Sequence, residues 1–207
     1  MGLLEWFEAN KRVFPWREHP TPYRVWISEV MLQQTRAQVV VSYFDRWMKR
    51  FPNVEALAAA PIEEVIKIWE GLGYYSRARN LHKGAQEIVR KHGGRIPNTR
   101  EALLELPGLG PYTAGAILSF GFHQRATAVD GNVLRVLSRF GWIAEDIGKI
   151  AARRKIEALA ESLLDEKKPW VSAEALIELG ATICLPQPRY PMQCNGKSPV
   201  YQIRRPW

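Results

Sequence analysis

Two cysteines, Cys184 and Cys194, are all that the 207 residues contain, and so sparse a set excludes a disulfide framework. Long hydrophobic runs are missing as well: no stretch approaches the roughly 18 uncharged apolar residues of a membrane span. The segment MGLLEW lacks a cationic stretch followed by an apolar one, so no signal peptide is expected. Apolar and polar residues never alternate convincingly with period two, which leaves no candidate strand. Low-complexity linkers and solenoid-type repeats are absent too. What remains is a soluble, intracellular, helical protein.

Acidic residues are the minority charge. Twenty-one Asp and Glu face 29 Lys and Arg, for a net charge of +8. A basic balance favours a polyanionic partner, because each neutralised phosphate releases condensed counterions. Taken alone, it fits a solvated basic surface equally well. Hydrophobic residues make up 46% of the chain and tryptophans number eight, enough for a real core that should hold most of those indoles.

The apolar residues recur at three and four. Residues 26–50 carry this pattern with a break near Thr35 that separates two helices. Pro61 opens IEEVIKIWEGLG, with acids in its first turn and glycines at its end. Residues 76–92 repeat the period and stop at Gly93-Gly94, and Asn98 with Glu101 resembles a capping box. A short apolar helix, TAGAILSFGF, follows Gly110, and residues 132–140, 149–165 and 170–183 read as further helices. From Leu185 onward the chain is rich in Pro, Arg and polar residues without helical period. The fold class is all-α.

Residues 106–117 read LPGLGPYTAGAI. Two glycines between helices let backbone N–H groups approach an outside anion, and the next helix adds its own free N–H groups. A plain connection between antiparallel helices needs glycine too, and from the glycines alone it is the stronger reading. The full string, however, resembles the helix-hairpin-helix motif, with Leu109 where valine is commoner. That resemblance implies that Gly108, Leu109, Gly110 and Thr113 hold one DNA phosphate irrespective of sequence. It implies DNA contact and not chemistry, since polymerases, ligases and repair nucleases share the motif.

Asp130 lies eighteen residues after Tyr112, in AVDGNV. From the residues alone it caps the helix that follows, serves as a catalytic carboxylate, or does both. Glu29 lies among Trp26, Ile27, Val30 and Met31, surroundings expected to keep a carboxyl protonated. By spacing alone it is an ordinary glutamate near a helix start. The runs WISEVMLQQT and GLGYYSRARNLH, with the hairpin and VDGNV, resemble the MutY-type adenine DNA glycosylases of the helix-hairpin-helix and endonuclease III superfamily, from about Leu4 to Cys184.

The resemblance implies a two-lobed helix-hairpin-helix glycosylase with its active site in the cleft between the lobes. Residues 15–122 would form a six-helix lobe ending in the hairpin, residues 1–14 with 123–184 the second lobe, and 185–207 an irregular tail. It implies a DNA repair hydrolase that removes adenine opposite 8-oxoguanine or guanine from double-stranded DNA. Glu29 would be the acid that protonates adenine, Asp130 the stabiliser of the oxocarbenium ion, and Asn132 the amide that helps place water. Tyr112 stands where strand-nicking relatives carry a lysine, which implies a monofunctional enzyme. Gln34 and Tyr74 would wedge into the duplex as the base leaves the stack. Arg12, Trp16, Arg17 and Glu174 would line the adenine pocket, with packing the stronger alternative for Trp16. Arg77 and Arg79 are helix-surface charges, either on phosphate or solvated.

Two departures accompany the resemblance. The family's [4Fe–4S] cysteines follow the spacing C-x6-C-x2-C-x5-C, which from Cys184 falls on Pro191, Cys194 and Val200. Two ligand positions remain and two are lost, so no cluster and no other metal is expected. The sequence also stops where the family's C-terminal domain, which reads the base opposite adenine, would begin, so discrimination of 8-oxoguanine from guanine is expected to suffer. The alternatives are a thymine–guanine mismatch glycosylase, which lacks a glutamate at the place of Glu29, and a DNA-binding relative without catalysis. A cytoplasmic monomer is expected, associated with the nucleoid if the source is bacterial, with no membrane partner.

Overall fold

Prolines and short polar side chains set the helix starts. Pro15, Pro22, Pro111 and Pro169 each open a helix at its first position, where a missing N–H removes no intrahelical bond. The side chains of Thr21, Asn53, Thr99 and Asp130 accept a bond from a backbone N–H of the first turn. The computed structural model describes residues 2–186. Among them are twelve α-helices, one π-helical turn and no strand, in agreement with an all-α fold. No helix among the described residues is long and apolar enough to cross a membrane. By Cα proximity the chain divides into two compact units, Val13–Phe122 and residues 2–12 with 123–186.

The unit Val13–Phe122 contains α2 (Pro15–Glu18), α3 (Pro22–Leu32), α4 (Ala37–Arg50), α5 (Val54–Ala59), α6 (Ile62–Trp69), α7 (Ser76–His92), α8 (Arg100–Leu104) and α9 (Pro111–Ala116). These are eight helices where six were expected, one-turn segments such as α2 among them. The expected break near Thr35 separates α3 from α4, and α7 stops at Gly93 in the left-handed region. The capping residue of α8 is Thr99, not Asn98: its hydroxyl accepts the Ala102 N–H. The core is aromatic and dry, with Trp26, Trp47, Trp69, Phe44 and Phe51 fully buried. Within it Trp47 Nε1 donates to the Tyr23 hydroxyl, which donates to the Phe51 carbonyl, whereas Trp26 Nε1 is buried without a hydrogen-bond partner among the described residues.

After α9 the helix does not continue as α. Ile117–Gly121 form a π-helical turn, with the Phe122 N–H bonded to the Ile117 carbonyl. Gly121 is needed there, because a Cβ would lie 2.7 Å from the Pro22 Cα at the start of α3.

The second unit contains α1 (Leu3–Asn10), α10 (Gly131–Phe140), α11 (Ile150–Ser162) and α12 (Pro169–Thr182). Leu3, Trp6 and Phe7 from α1 pack with Val133, Val136, Leu137, Ile156, Leu176 and Leu179 in one buried cluster. Arg12, just past α1, is tied to Glu178 on α12. The Arg12 Nε–H donates to Oε1 at 2.6 Å and Nη2–H to Oε2 at 3.1 Å. Glu178 is fully buried, so the bidentate guanidinium is what makes its charge tolerable.

Candidate active site

Glu29 lies on α3, a helix buried almost all round, with Val25, Trp26, Ile27, Val30 and Met31 shielding its own turn. Its side chain is held from the hairpin: the Tyr112 hydroxyl, on α9, donates a 2.6 Å bond to Oε2. The residue expected to act as acid and the residue expected to replace a nucleophilic lysine thus touch each other. No spacing rule foretold that contact across 83 residues.

The hairpin divides its work between backbone and core. Leu109 and Thr113 are buried, so their side chains anchor the turn and do not meet solvent. Gly108 takes φ +78°, and a Cβ there would lie 2.8 Å from the Asn80 side chain. A Cβ on Gly110 would meet nothing within 4 Å, so the backbone there is open to an outside anion.

Gln34 and Tyr74 share one unusual property. Both are non-glycine residues in the left-handed region, at φ +56° and +47°, and both are exposed. Such a conformation costs about 1–3 kcal/mol for a residue with a side chain. The group that holds both turns is Arg77, and here the expectation of a helix-surface charge is corrected. Arg77 is buried, and it donates to the carbonyls of Val30, Met31, Gln33, Leu72 and Gly73 and to the Thr35 hydroxyl. Helical period carries the missed signal, because position 77 shares the inward face of α7 with Leu81, Gly84 and Ile88. Arg79 is exposed, as expected.

In the second unit, Asp130 caps α10. Its Oδ1 accepts the Val133 N–H at 2.8 Å, and its Oδ2 accepts the Asn132 amide at 2.7 Å. Burial pushes the carboxyl above its ordinary value, and the bonds from Val133 and Asn132 oppose that shift only in part. The cap and the candidate catalytic carboxylate are therefore one side chain. Asn132 is fixed in turn by Arg135, whose Nη2–H donates to the Asn132 Oδ1 and to the Gly180 carbonyl, both at 2.8 Å. Gly180 has to be small: a Cβ would lie 2.6 Å from the Asn132 Cβ.

The four residues expected to line a base pocket fare differently. Trp16 is buried in an aromatic stack, 4.8 Å from Phe14 and edge-on to Phe44, which is the packing role. Arg12 spends its guanidinium on Glu178. Arg17 lies over the Phe14 ring, and Glu174 is half-buried on α12.

Cys184 is the one cysteine among the described residues; positions 191, 194 and 200 lie outside them. Its sulfur accepts a bond from Arg139 at 3.2 Å, and its carbonyl accepts the Arg135 Nε–H at 2.7 Å. No group of three or more His, Cys, Asp or Glu is placed to hold a metal among the described residues. Pro191 and Val200 have no side-chain electron pair to donate, so the donor set of this chain does not fit a four-thiolate cluster.

Residues 27–162 match the family model described as HhH-GPD superfamily base excision DNA repair protein. The chain is 44% identical to the adenine DNA glycosylase of Homo sapiens over 206 residues, covering 95% of this chain and 38% of that protein. It is 35% identical to the adenine DNA glycosylase of Buchnera aphidicola subsp. Acyrthosiphon pisum (strain APS), covering 99% of this chain and 59% of that one. The chain thus spans less than two thirds of the length of either relative. Among solved structures, a thermostable thymine-DNA glycosylase superposes with a TM-score of 0.81 at 30% identity, over 89% of this chain and 85% of that one. Endonuclease III in a non-covalent DNA complex gives 0.76 at 23% identity, over 98% and 95%, a likeness of fold. An all-helical fold with a glycine hairpin, a buried glutamate and a helix-capping aspartate, joined to a family match over these same residues, makes the chain a member of the HhH-GPD superfamily of base excision DNA repair proteins.

Proposed function

We propose that the protein is a monofunctional adenine DNA glycosylase that hydrolyses the N-glycosidic bond of adenine mispaired with 8-oxoguanine or guanine in double-stranded DNA. The observation that carries this reading is the buried carboxyl of Glu29, held at Oε2 by the Tyr112 hydroxyl. Adenine leaves poorly as an anion, so a proton must reach its ring as the bond breaks, and a carboxyl shielded from water is suited to donate it.

Positive charge then develops on the sugar. Asp130, fixed by the Val133 N–H and the Asn132 amide, supplies a preorganised carboxylate to stabilise it, and Asn132 helps place the attacking water. Tyr112 has no amine for a Schiff base, so the strand is left intact. The backbone at Gly108 and Gly110 holds a phosphate, while Gln34 and Tyr74 fill the space left by the extruded base. The enzyme acts as a monomer and its chemistry proceeds without an iron–sulfur cluster.

Single-turnover assays on duplexes with adenine opposite 8-oxoguanine and opposite guanine test the proposal, with abasic sites revealed by alkali. Adenine release that is lost in Glu29→Gln, with DNA affinity retained, is the expected result. Release of thymine opposite guanine would instead support the mismatch reading. Tight, salt-sensitive binding without release of any base would mark a DNA-binding relative.

A further inference from the structure

We propose that Arg77 is the positioning residue for base extrusion, acting through Gln34 and Tyr74; the inference rests on the proposed function. Neither wedge residue sits in a regular element. Gln34 lies between α3 and α4 and Tyr74 between α6 and α7, on turns that are forty residues apart in sequence but belong to one unit. Each has a left-handed backbone that an isolated chain would seldom adopt. A turn of that kind persists only when its surroundings over-determine it.

The surroundings of both turns converge on one guanidinium. Nη1 of Arg77 takes the carbonyls of Val30, Met31 and Gln33, the last at 2.6 Å and immediately before Gln34. Nη2 takes the Thr35 hydroxyl, immediately after Gln34, and the carbonyls of Leu72 and Gly73, immediately before Tyr74. The Arg77 N–H also donates to the Tyr74 carbonyl at 2.9 Å. The guanidinium lies over the rings of Trp69 and Tyr74, at 5.1 and 5.5 Å. Trp69 Nε1 meets the Gly73 carbonyl from the other side, at 2.9 Å.

A planar fork with five donors can serve both turns at once; a lysine ammonium, with three donors at a single point, cannot. Losing the fork frees the two turns independently, so the side chains no longer arrive together at a base step. Arg77 touches no reacting atom in this account. Its effect is on extrusion and reaches base release only through extrusion.

The test reads extrusion directly. A duplex carrying 2-aminopurine beside an adenine opposite guanine is titrated with full-length Glu29→Gln protein, and the fluorescence gained on unstacking is recorded with and without Arg77→Lys. The extrusion signal is expected to fall about tenfold or more. The same substitution in a Gln34→Ala/Tyr74→Ala background is expected to change the signal no further, because Arg77 acts through those two residues. Trp69→Phe, which keeps Arg77 but removes the indole bond to Gly73, gives a smaller loss and serves if Arg77→Lys does not fold. An unchanged signal in a folded Arg77→Lys or Trp69→Phe protein would overturn the inference. So would an equal loss in the wedge-less background, which is the mark of a merely structural residue. Because fluorescence reports extrusion whether or not the base is then released, absence of adenine release by the wild-type chain would sink the catalytic reading alone.

Discussion

The hydroxyl of Tyr112 donates a 2.6 Å hydrogen bond to Oε2 of Glu29, which joins α9 of the glycine hairpin to the buried carboxyl of α3. Tyr112→Phe removes only that oxygen. The hairpin packing is expected to persist, with Tm changed by less than about 3 °C, while single-turnover adenine release slows about tenfold as the carboxyl loses its fixed pose. A rate equal to wild type would show that the hydroxyl does not orient Glu29.

Asp130 sets a pH dependence with a definite sign. Burial raises its carboxyl above the ordinary 3.8, so the folded protein holds this proton more tightly than the unfolded chain. The stability linked to it is present below about 3.8 and is lost as pH rises through the raised folded value. Urea unfolding should therefore find wild type gaining on Asp130→Asn as the pH is lowered toward 3.8. The acidic limb of the adenine-release profile is expected above 3.8 for the same reason. A stability difference that does not vary with pH would contradict both statements.

Gly180 allows α12 to pass Asn132 closely. Gly180→Ala brings a methyl into the 2.6 Å gap to the Asn132 Cβ and is expected to destabilise the protein by about 1–3 kcal/mol. Base release should fall by more than the fraction unfolded accounts for, because Asn132 and its bond to Asp130 are displaced. Chemical denaturation and single-turnover rates on the same preparation separate the two effects.

Removing Arg12 strands the fully buried Glu178. Arg12→Ala is expected to cost about 3 kcal/mol, near the low end for a broken buried pair because the arginine itself is 40% exposed. Replacing both residues, as Arg12→Met/Glu178→Leu, should recover most of that loss. A denaturant series on wild type, Arg12→Met, Glu178→Leu and the double variant measures the coupling.

Iron analysis of the purified chain is expected to find no cluster, since Pro191 and Val200 offer no ligand. A stoichiometric complement of iron and sulfide would show that the set is completed by other residues. Pro191→Cys/Val200→Cys restores the four-thiolate spacing and should raise the iron bound on anaerobic reconstitution.

Much of this was legible in the sequence wherever local chemistry decides. The separation of α3 from α4, the glycine stop of α7 and the hairpin all follow from residues within one turn of the feature. Asp130 was readable as a cap from its place before Gly131, and the geometry shows that cap. The misreadings arise where distant partners decide. Asn98 and Thr99 are both good cap residue types, and the chain places Thr99 at the cap. Arg77 looks like a surface charge until the carbonyls of two remote turns are brought to it. The π-helical turn at Ile117–Gly121 falls inside the short apolar helix expected after Gly110, and an apolar run gives no pattern that separates it from an α-turn.

The way the second unit draws on segments from either side of Val13–Phe122 has a consequence for biosynthesis. Leu3, Trp6 and Phe7 are made before that unit, and their neighbours Leu176 and Leu179 only after it. Arg12 waits 166 residues for Glu178, roughly 8–30 s at typical translation speeds. During that interval α1 carries an uncovered apolar face while the intervening unit is free to fold by itself. A chaperone dependence confined to this early helix, relieved in a circular permutant that starts at Val13 and carries residues 1–12 after residue 186, is the cellular signature of that arrangement.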